Sequence, residues 1–200
     1  MEIVLLRHGK PRVGRKGRVS PAGFGQWVAA YDGSGIDGRR PPPEAAIARV
    51  RACACVVCSS LPRSVDSARA LGVARIDACD PMYREMDLPS AGWRFPRLPH
   101  AVWAVLFRLL WLAGYAGNAE SFREARQRAA RCACCLAALA AERTSVVFVG
   151  HGSLNWFVAW QLRRMGWVGP WIPPLRFWGW PCTAPPGPEP DRVPQWPPAG

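Results

Sequence analysis

The sequence is poor in lysine, histidine and acidic residues. Only Lys10 and Lys16 are lysines, so nearly all of the 26 basic side chains are arginine, and 14 acidic residues leave a formal net charge of +12. Arginine suits phosphate and carboxylate groups, so anionic substrates, nucleic acid and acidic membrane surfaces are all compatible with this charge. The basic residues are dispersed, however, without a glycine-aromatic RNA-binding motif or a recognisable helix-turn-helix, which argues against nucleic-acid binding.

Long apolar segments are missing as well. The longest, from Ala101 to Ala113, is interrupted by Arg108 and is too short for a helix that spans a bilayer. The run from Ile3 to Leu6 is too short for the apolar region of a signal peptide. We therefore expect no transmembrane segment and a cytoplasmic location.

Paired C-x-x-C knuckles are absent although the chain has eight cysteines. One group starts at Cys53 as C-x-C-x-x-C, and a second starts at Cys132. A metal or iron-sulfur site is one interpretation of these groups. The alanine-rich context favours another, in which reduced cysteines pack as small hydrophobic residues. We expect no metal and no cofactor.

What the sequence does contain is an alternation of strand and helix patterns over a length that favours one domain. Apolar runs predict strands over residues 3–6, 55–58, 73–76 and 145–149, and periodic segments predict helices over 22–31, 44–52, 62–71, 97–114, 122–142 and 154–165. The stretch 176–180 is a candidate edge strand.

Several helix ends carry specific signals. Ser20 and Pro21 predict a capped helix start, and Ser59 or Ser60 can cap the helix that begins near Pro62. Residues 121–124 fit a capping box, after which Glu124 is spaced for an ion pair with Arg128.

Three segments have a less certain role. The helix over 97–114 is apolar on all sides except at Arg108, so it is buried, serves as a lid or dimer contact, or lies on a membrane surface. Six of the eleven tryptophans fall between Trp156 and Trp180, which packing, an interface or membrane-surface contact would explain. Residues 181–200 contain eight prolines and predict an extended or disordered tail.

Two of the three histidines directly follow apolar strands. Arg7-His8-Gly9 ends the first strand and Gly150-His151-Gly152 ends a late one, so both imidazoles are expected at the carboxyl edge of one parallel sheet. Arg63 is expected in the first turn of a helix after a strand, where backbone N–H groups favour anions. Two arginines and two histidines around one point suit a dianionic phosphoryl group, and an imidazole nitrogen can attack phosphorus.

These motifs, with Ser59-Ser60-Leu61-Pro62-Arg63-Ser64 and Glu85 in YREMDLP, resemble the histidine phosphatase superfamily, the phosphoglycerate mutase-like proteins. The resemblance runs from Met1 to about Gly166. It implies a single three-layer α/β/α domain with a mainly parallel central sheet. We expect this domain over residues 1–180, with a helical cap insertion around 90–117, followed by the tail.

The resemblance also implies roles for individual residues. His8 would be the nucleophile that becomes phosphorylated, while Arg7, Arg63 and His151 would bind the phosphate. Glu85 would be the general acid, although Asp87 is two residues away and would point to the same side of an extended segment.

The expected function is that of a metal-independent phosphatase acting on a small phosphomonoester or on phosphohistidine in a protein. A phosphomutase is an alternative, but Lys10-Pro11-Arg12-Val13 departs from the pattern of the glycolytic mutases. A weakly active phosphate-binding module that regulates a partner is another. A homodimer is compatible with the sequence.

Overall fold

Strands and helices alternate along the chain in the computed structural model, which describes residues 1–14 and 17–185. The strands are β1 (Glu2–Arg7), β2 (Arg18–Val19), β3 (Cys55–Ser59), β4 (Ala78–Asp80), β5 (Leu98–Pro99), β6 (Ser145–Gly150) and β7 (Cys182–Thr183). The helices are α1 (Pro21–Asp32), α2 (Glu44–Arg51), α3 (Pro62–Ala70), α4 (His100–Leu112), α5 (Phe122–Arg143) and α6 (Gly152–Arg164), with a 3₁₀ turn at Pro81–Tyr83.

Five strands form the central sheet in the order β4-β3-β6-β1-β7. The first four run parallel, and β7 pairs antiparallel with β1 at the edge. The central strands β3, β6 and β1 are covered on both faces, which is why they are continuous apolar runs instead of alternating ones. The predicted α/β fold with a mainly parallel sheet is confirmed.

Helices form a layer on each face of this sheet. One face packs against α5 and α6, with Leu136 and Val158 fully buried between them and the strands. The opposite face packs against α2 and α3, where Val50 and Ala68 are buried. A third cluster joins α1 to α4 through Phe24 and Phe107, whose stacked rings lie 5.6 Å apart.

The apolar helix α4 is buried on one side only. Trp103, Phe107 and Trp111 face the protein, whereas Val105 and Leu109 on the other side are more than half exposed. Within the part of the chain that the structure describes, neither this helix nor any other is long and apolar enough to cross a membrane.

The predicted strand over 73–76 is wrong, because the strand begins at Ala78. Val73 and Ile76 are apolar because they pack against the core beneath α2 and α3, not because they pair with a neighbour. Asp77 starts the pairing: its carboxylate accepts the Val56 N–H at 2.8 Å, and its own N–H donates to the Val56 carbonyl at 2.9 Å.

The predicted edge strand over 176–180 is also misplaced. Trp178 has a φ of 60°, which interrupts an extended conformation, and the edge strand follows at Cys182–Thr183. This strand falls within the range that the sequence assigned to the proline-rich tail. From residue 186 onward, that predicted tail lies outside the described residues.

The capping predictions are confirmed at α1 and α5. Ser20 accepts the Gly23 N–H, and Ser121 and Glu124 form both bonds of a capping box. At α3 the cap position is Leu61, and Ser59 instead accepts the Leu61 N–H, so the prediction of a serine cap is wrong.

Cys55 and Cys58 of the first group and Cys132 of the second are buried in the core. Cys55 and Cys58 face opposite sides of β3 and belong to different core clusters. Burial raises the pKa of Cys58 and of Cys132 to about 12, so both are thiols at neutral pH. Within residues 1–14 and 17–185, no group of three histidine, cysteine, aspartate or glutamate side chains is arranged to hold a metal ion.

Candidate active site at the carboxyl edge of the sheet

The two glycine-flanked histidines are brought together by the pairing of β1 with β6. The register places Arg7 opposite Gly150, and the His8 N–H donates to the Gly150 carbonyl at 3.1 Å. The imidazole rings of His8 and His151 therefore lie 5.0 Å apart, and both are buried. The sequence-based expectation that they share one sheet edge agrees with this geometry.

The hydrogen bond of His8 defines its tautomer. Its Nδ1 lies 2.7 Å from the Gly9 carbonyl oxygen, which can only accept, so Nδ1 carries the proton. Burial, together with the smaller effects of the charges on Arg63 and Arg7, lowers the pKa of His8 to about 3, against the opposing effect of the Gly9 bond. A neutral ring with this tautomer leaves the Nε2 lone pair available to attack an electrophile.

Gly9 is required by tertiary packing. A Cβ at this position would lie 2.2 Å from the Trp178 ring, so any side chain would displace the tryptophan. The Gly9 N–H donates to Ser67 Oγ at 2.8 Å, and Ser67 Oγ donates to the Arg63 carbonyl at 2.5 Å. These bonds tie the loop after β1 to helix α3.

Arg63 lies in the first turn of α3, as predicted, and is completely buried. One of its terminal nitrogens, Nη1, donates to Asp32 Oδ1 at 3.0 Å and to the Tyr31 carbonyl at 3.2 Å. The guanidinium also stacks over the Tyr31 ring, 4.7 Å from its centroid. These contacts at the end of α1 hold Arg63 in place, and no sequence signal pointed to Asp32 or Tyr31.

Arg7 is held by the segment before β7. Its Nη1 donates to the Leu175 carbonyl, and its guanidinium lies 4.5 Å from the centre of the Phe177 ring. The same Phe177 ring is 5.7 Å from the ring of His8. The residues around Trp178 thus pack over the end of β1, which explains part of the tryptophan density that the sequence left unexplained.

His151 occupies the cap position of α6 and is fully buried. Burial, followed by electrostatic interactions with His8, Arg63 and Arg7, lowers the pKa of His151 well below its ordinary value. The neutral imidazole can donate from one nitrogen only.

Several buried polar atoms at this edge lack a hydrogen-bond partner among the described residues. They are Arg7 Nε, Arg63 Nε and Nη2, and both ring nitrogens of His151. Leaving such groups unpaired is costly, and an oxyanion supplies the acceptors that arginine nitrogens need. The arrangement can therefore bind a phosphate-sized anion beside His8.

Glu85 and Asp87 contact different partners, although both carboxylates were expected to point to the same side of an extended segment. Glu85 Oε1 accepts the Leu154 N–H at 3.0 Å, and Oε2 lies 3.5 Å from the Ser153 nitrogen. Asp87 is turned away and accepts the Glu120 N–H at 3.4 Å. Glu85 is consequently the carboxyl group beside the His151 end of α6, because Ser153 and Leu154 are in its first turn.

Two arginines fix the segment that carries Glu85. Arg128 donates to the Arg84 carbonyl at 2.7 Å, and Arg108 donates to the carbonyls of Met86 and Asp87 at 3.3 Å. The predicted ion pair of Arg128 with Glu124 is wrong, because Arg128 pairs with Glu120. Glu124 is engaged in its capping box, and the loop before α5 brings Glu120 to the arginine.

No protein-family model matches the sequence, and the search of curated proteins gives no match. The fold, in contrast, matches that of phosphatases of the histidine phosphatase superfamily, and the expected resemblance is confirmed at this level.

Three solved structures illustrate the match. A mycobacterial glucosyl-3-phosphoglycerate phosphatase in complex with VO3 is 26% identical over 82% of each chain, with a TM-score of 0.53. A putative alpha-ribazole-5'-P phosphatase from Escherichia coli is 19% identical over 81% of this chain and 79% of its own, with a TM-score of 0.56. The protein of open reading frame Rv3214 from Mycobacterium tuberculosis is 20% identical over 78% of this chain and 77% of its own, with a TM-score of 0.54.

Proposed function

We propose that this protein is a phosphatase that hydrolyses phosphomonoesters through a phosphohistidine formed on His8. The observation that carries the proposal is a neutral His8, with Nε2 free, beside buried arginine and histidine nitrogens that have no hydrogen-bond partner within residues 1–14 and 17–185. The phosphatases that share the fold support the same class of reaction.

In the first half of the reaction, His8 Nε2 attacks phosphorus and the bond from phosphorus to the ester oxygen breaks. Arg7 and Arg63 neutralise the charge on the nonbridging oxygens, and His151 donates one hydrogen bond to them. These groups provide charge neutralisation at the phosphoryl group, so the proposal invokes no metal ion.

Glu85 is the proposed general acid. Its protonated carboxyl group gives a proton to the departing alkoxide, which leaves as a neutral alcohol. In the second half, water attacks phosphorus, the bond to Nε2 breaks, and the Glu85 carboxylate takes the proton from that water. Phosphate is released and His8 returns to its neutral form.

The test is phosphate release from a panel of phosphomonoesters with EDTA present, comparing the wild type with His8→Ala. We expect release by the wild type with the chelator present, and a loss of about 10³-fold or more in the variant, since the nucleophile is missing. Equal release by both proteins would contradict the role of His8. Formation of an isomeric ester without phosphate release would indicate a mutase instead.

A further inference from the structure

A second concave surface adjoins the candidate active site at the start of α6. We call it the aromatic pocket, and it is a cavity of about 380 Å³ between α4, α5 and α6. Its walls are mainly apolar: Trp111, Leu112, Phe122, Trp156, Phe157 and Trp160 line it, together with Ser153, Arg108 and Arg126.

Three consecutive residues connect the two regions. His151 belongs to the phosphate site, the name we use for the proposed anion-binding group of Arg7, His8, Arg63 and His151. A Cβ on Gly152 would lie 3.4 Å from the Arg7 guanidinium carbon, and Ser153 lines the aromatic pocket. The Ser153 N–H also faces Glu85 Oε2. The pocket therefore begins within two residues of His151, on the side where Glu85 lies.

This placement matches the chemistry of the proposed reaction. The general acid protonates the oxygen between phosphorus and the leaving group, so the leaving group must extend past Glu85. The aromatic pocket adjoins that carboxyl group, because Ser153 lines the pocket and its N–H faces Glu85 Oε2. Arg108 links the two regions, because it lines the pocket and donates to the Met86 carbonyl.

The walls indicate an apolar occupant. Trp111 and Phe157 are at least partly buried and pack edge to face, while Leu112 and Trp156 at the opening are each about half exposed. The two arginines are already engaged with aromatic rings, Arg108 over Trp111 and Arg126 over Trp160. Few polar groups are left to bind a sugar or a charged leaving group, whereas burial of an alkyl or aryl group would be favourable.

From this we infer that the preferred substrates are phosphomonoesters with a large apolar leaving group, which the aromatic pocket binds while the phosphate lies beside His8. The inference rests on the proposed function.

The test compares ethyl phosphate with octyl phosphate, whose leaving groups have the same acidity. Each fully buried methylene favours binding by roughly four-fold, so burial of about half of the six extra methylenes raises kcat/KM by about 60-fold. Trp160→Ala, and to a smaller degree Leu112→Asp at the opening, should reduce this octyl-to-ethyl ratio. Trp93→Ala is the matched control, because Trp93 is exposed and is not among the residues that line the pocket.

Titration calorimetry with ethylphosphonate and octylphosphonate provides a readout that needs no turnover. Tighter binding of the octyl compound, lost in Trp160→Ala, supports the pocket even if no ester is hydrolysed, in which case the proposed function alone fails. Equal hydrolysis of both esters, lost in His8→Ala, would leave the proposed function intact and would contradict the inferred role of the aromatic pocket. A changed sedimentation coefficient in Trp160→Ala, with an unchanged octyl-to-ethyl ratio, would also overturn it and indicate a subunit contact.

Discussion

The phosphate site and the aromatic pocket meet at the start of α6 but are built on opposite principles. The first is polar and is built around the buried side chains of His8, Arg63 and His151, with arginine and histidine nitrogens that find no partner in the described part of the chain. The second is apolar and open, and its arginines lie against aromatic rings. Under the proposed function, the phosphate site would define the reaction, whereas the aromatic pocket would define which ester is used.

Glu85 lies between the two regions, and its replacement should produce the largest effect among the following changes. We expect Glu85→Gln to slow the release of ethanol from ethyl phosphate by about 10²-fold, because an alkoxide needs a proton to depart. The effect on 4-nitrophenyl phosphate should be much smaller, since its leaving group is already acidic. Steady-state kinetics with both esters measure the difference.

Asp87→Asn is the control for this prediction, because the Asp87 carboxylate faces Glu120 and not α6. This variant should hydrolyse both esters at the wild-type rate. A selective loss of activity toward ethyl phosphate in Asp87→Asn, with Glu85→Gln unchanged, would transfer the acid role to Asp87.

A substitution of Arg63 tests whether the phosphate site binds anions through a specific buried arginine or only through overall charge. Arg63→Met keeps much of the side-chain volume but removes a buried charge, and we expect phosphate to bind at least about 30-fold more weakly. Titration calorimetry with inorganic phosphate measures this change. Arg69→Met on the same helix is the matched control, because Arg69 is largely exposed. This variant should bind inorganic phosphate with the affinity of the wild type. Equal losses in both variants would mean that only overall charge matters.

The buried histidines should also make stability depend on pH. The folded-state pKa of His8 is about 3, against 6.5 for an unperturbed histidine, so the unfolded chain binds more protons below pH 6.5. The free energy of unfolding should therefore fall as the pH is lowered from 7 to 5, by about 2 kcal/mol for His8, and the lowered pKa of His151 adds to this fall.

Urea unfolding at pH 5 and pH 7 measures this dependence. In His8→Asn, the difference between the two pH values should shrink by about 2 kcal/mol, because one of the two titrating groups is gone. Trp93→Ala should keep the wild-type difference. If the His8→Asn variant keeps it too, His8 is charged or solvent-accessible in the folded protein.

Local patterns in the sequence were sufficient to predict much of this molecule. The apolar strands that end at Arg7 and Gly150 fixed the sheet edge, and the glycine-flanked histidines identified the candidate site. The contacts that orient the site were not accessible in the same way. Asp32 on Arg63 and Phe177 beside Arg7 come from distant segments whose approach depends on tertiary packing. Glu120 reaches Arg128 through the conformation of the loop before α5, which helical spacing does not predict.

The misplaced strands have a similar cause. Apolar residues at 73–76 signal burial, and periodicity alone does not separate burial beneath a helix from pairing in a sheet. The sequence did not predict the aromatic pocket, because Trp111, Phe122 and Trp160 lie on three different helices. Only the packing of these helices brings the three side chains into a common wall.

The central claim is that the phosphoryl group passes through His8. The most direct measurement is to mix the enzyme with 4-nitrophenyl phosphate, to stop the reaction rapidly without acid, and to analyse the protein by intact-mass and peptide mass spectrometry. The account predicts one phosphoryl group per chain on His8, stable to alkali and labile to acid, and absent in His8→Ala. Turnover without any phosphorylated enzyme, or a phosphoryl group on another residue, would contradict it.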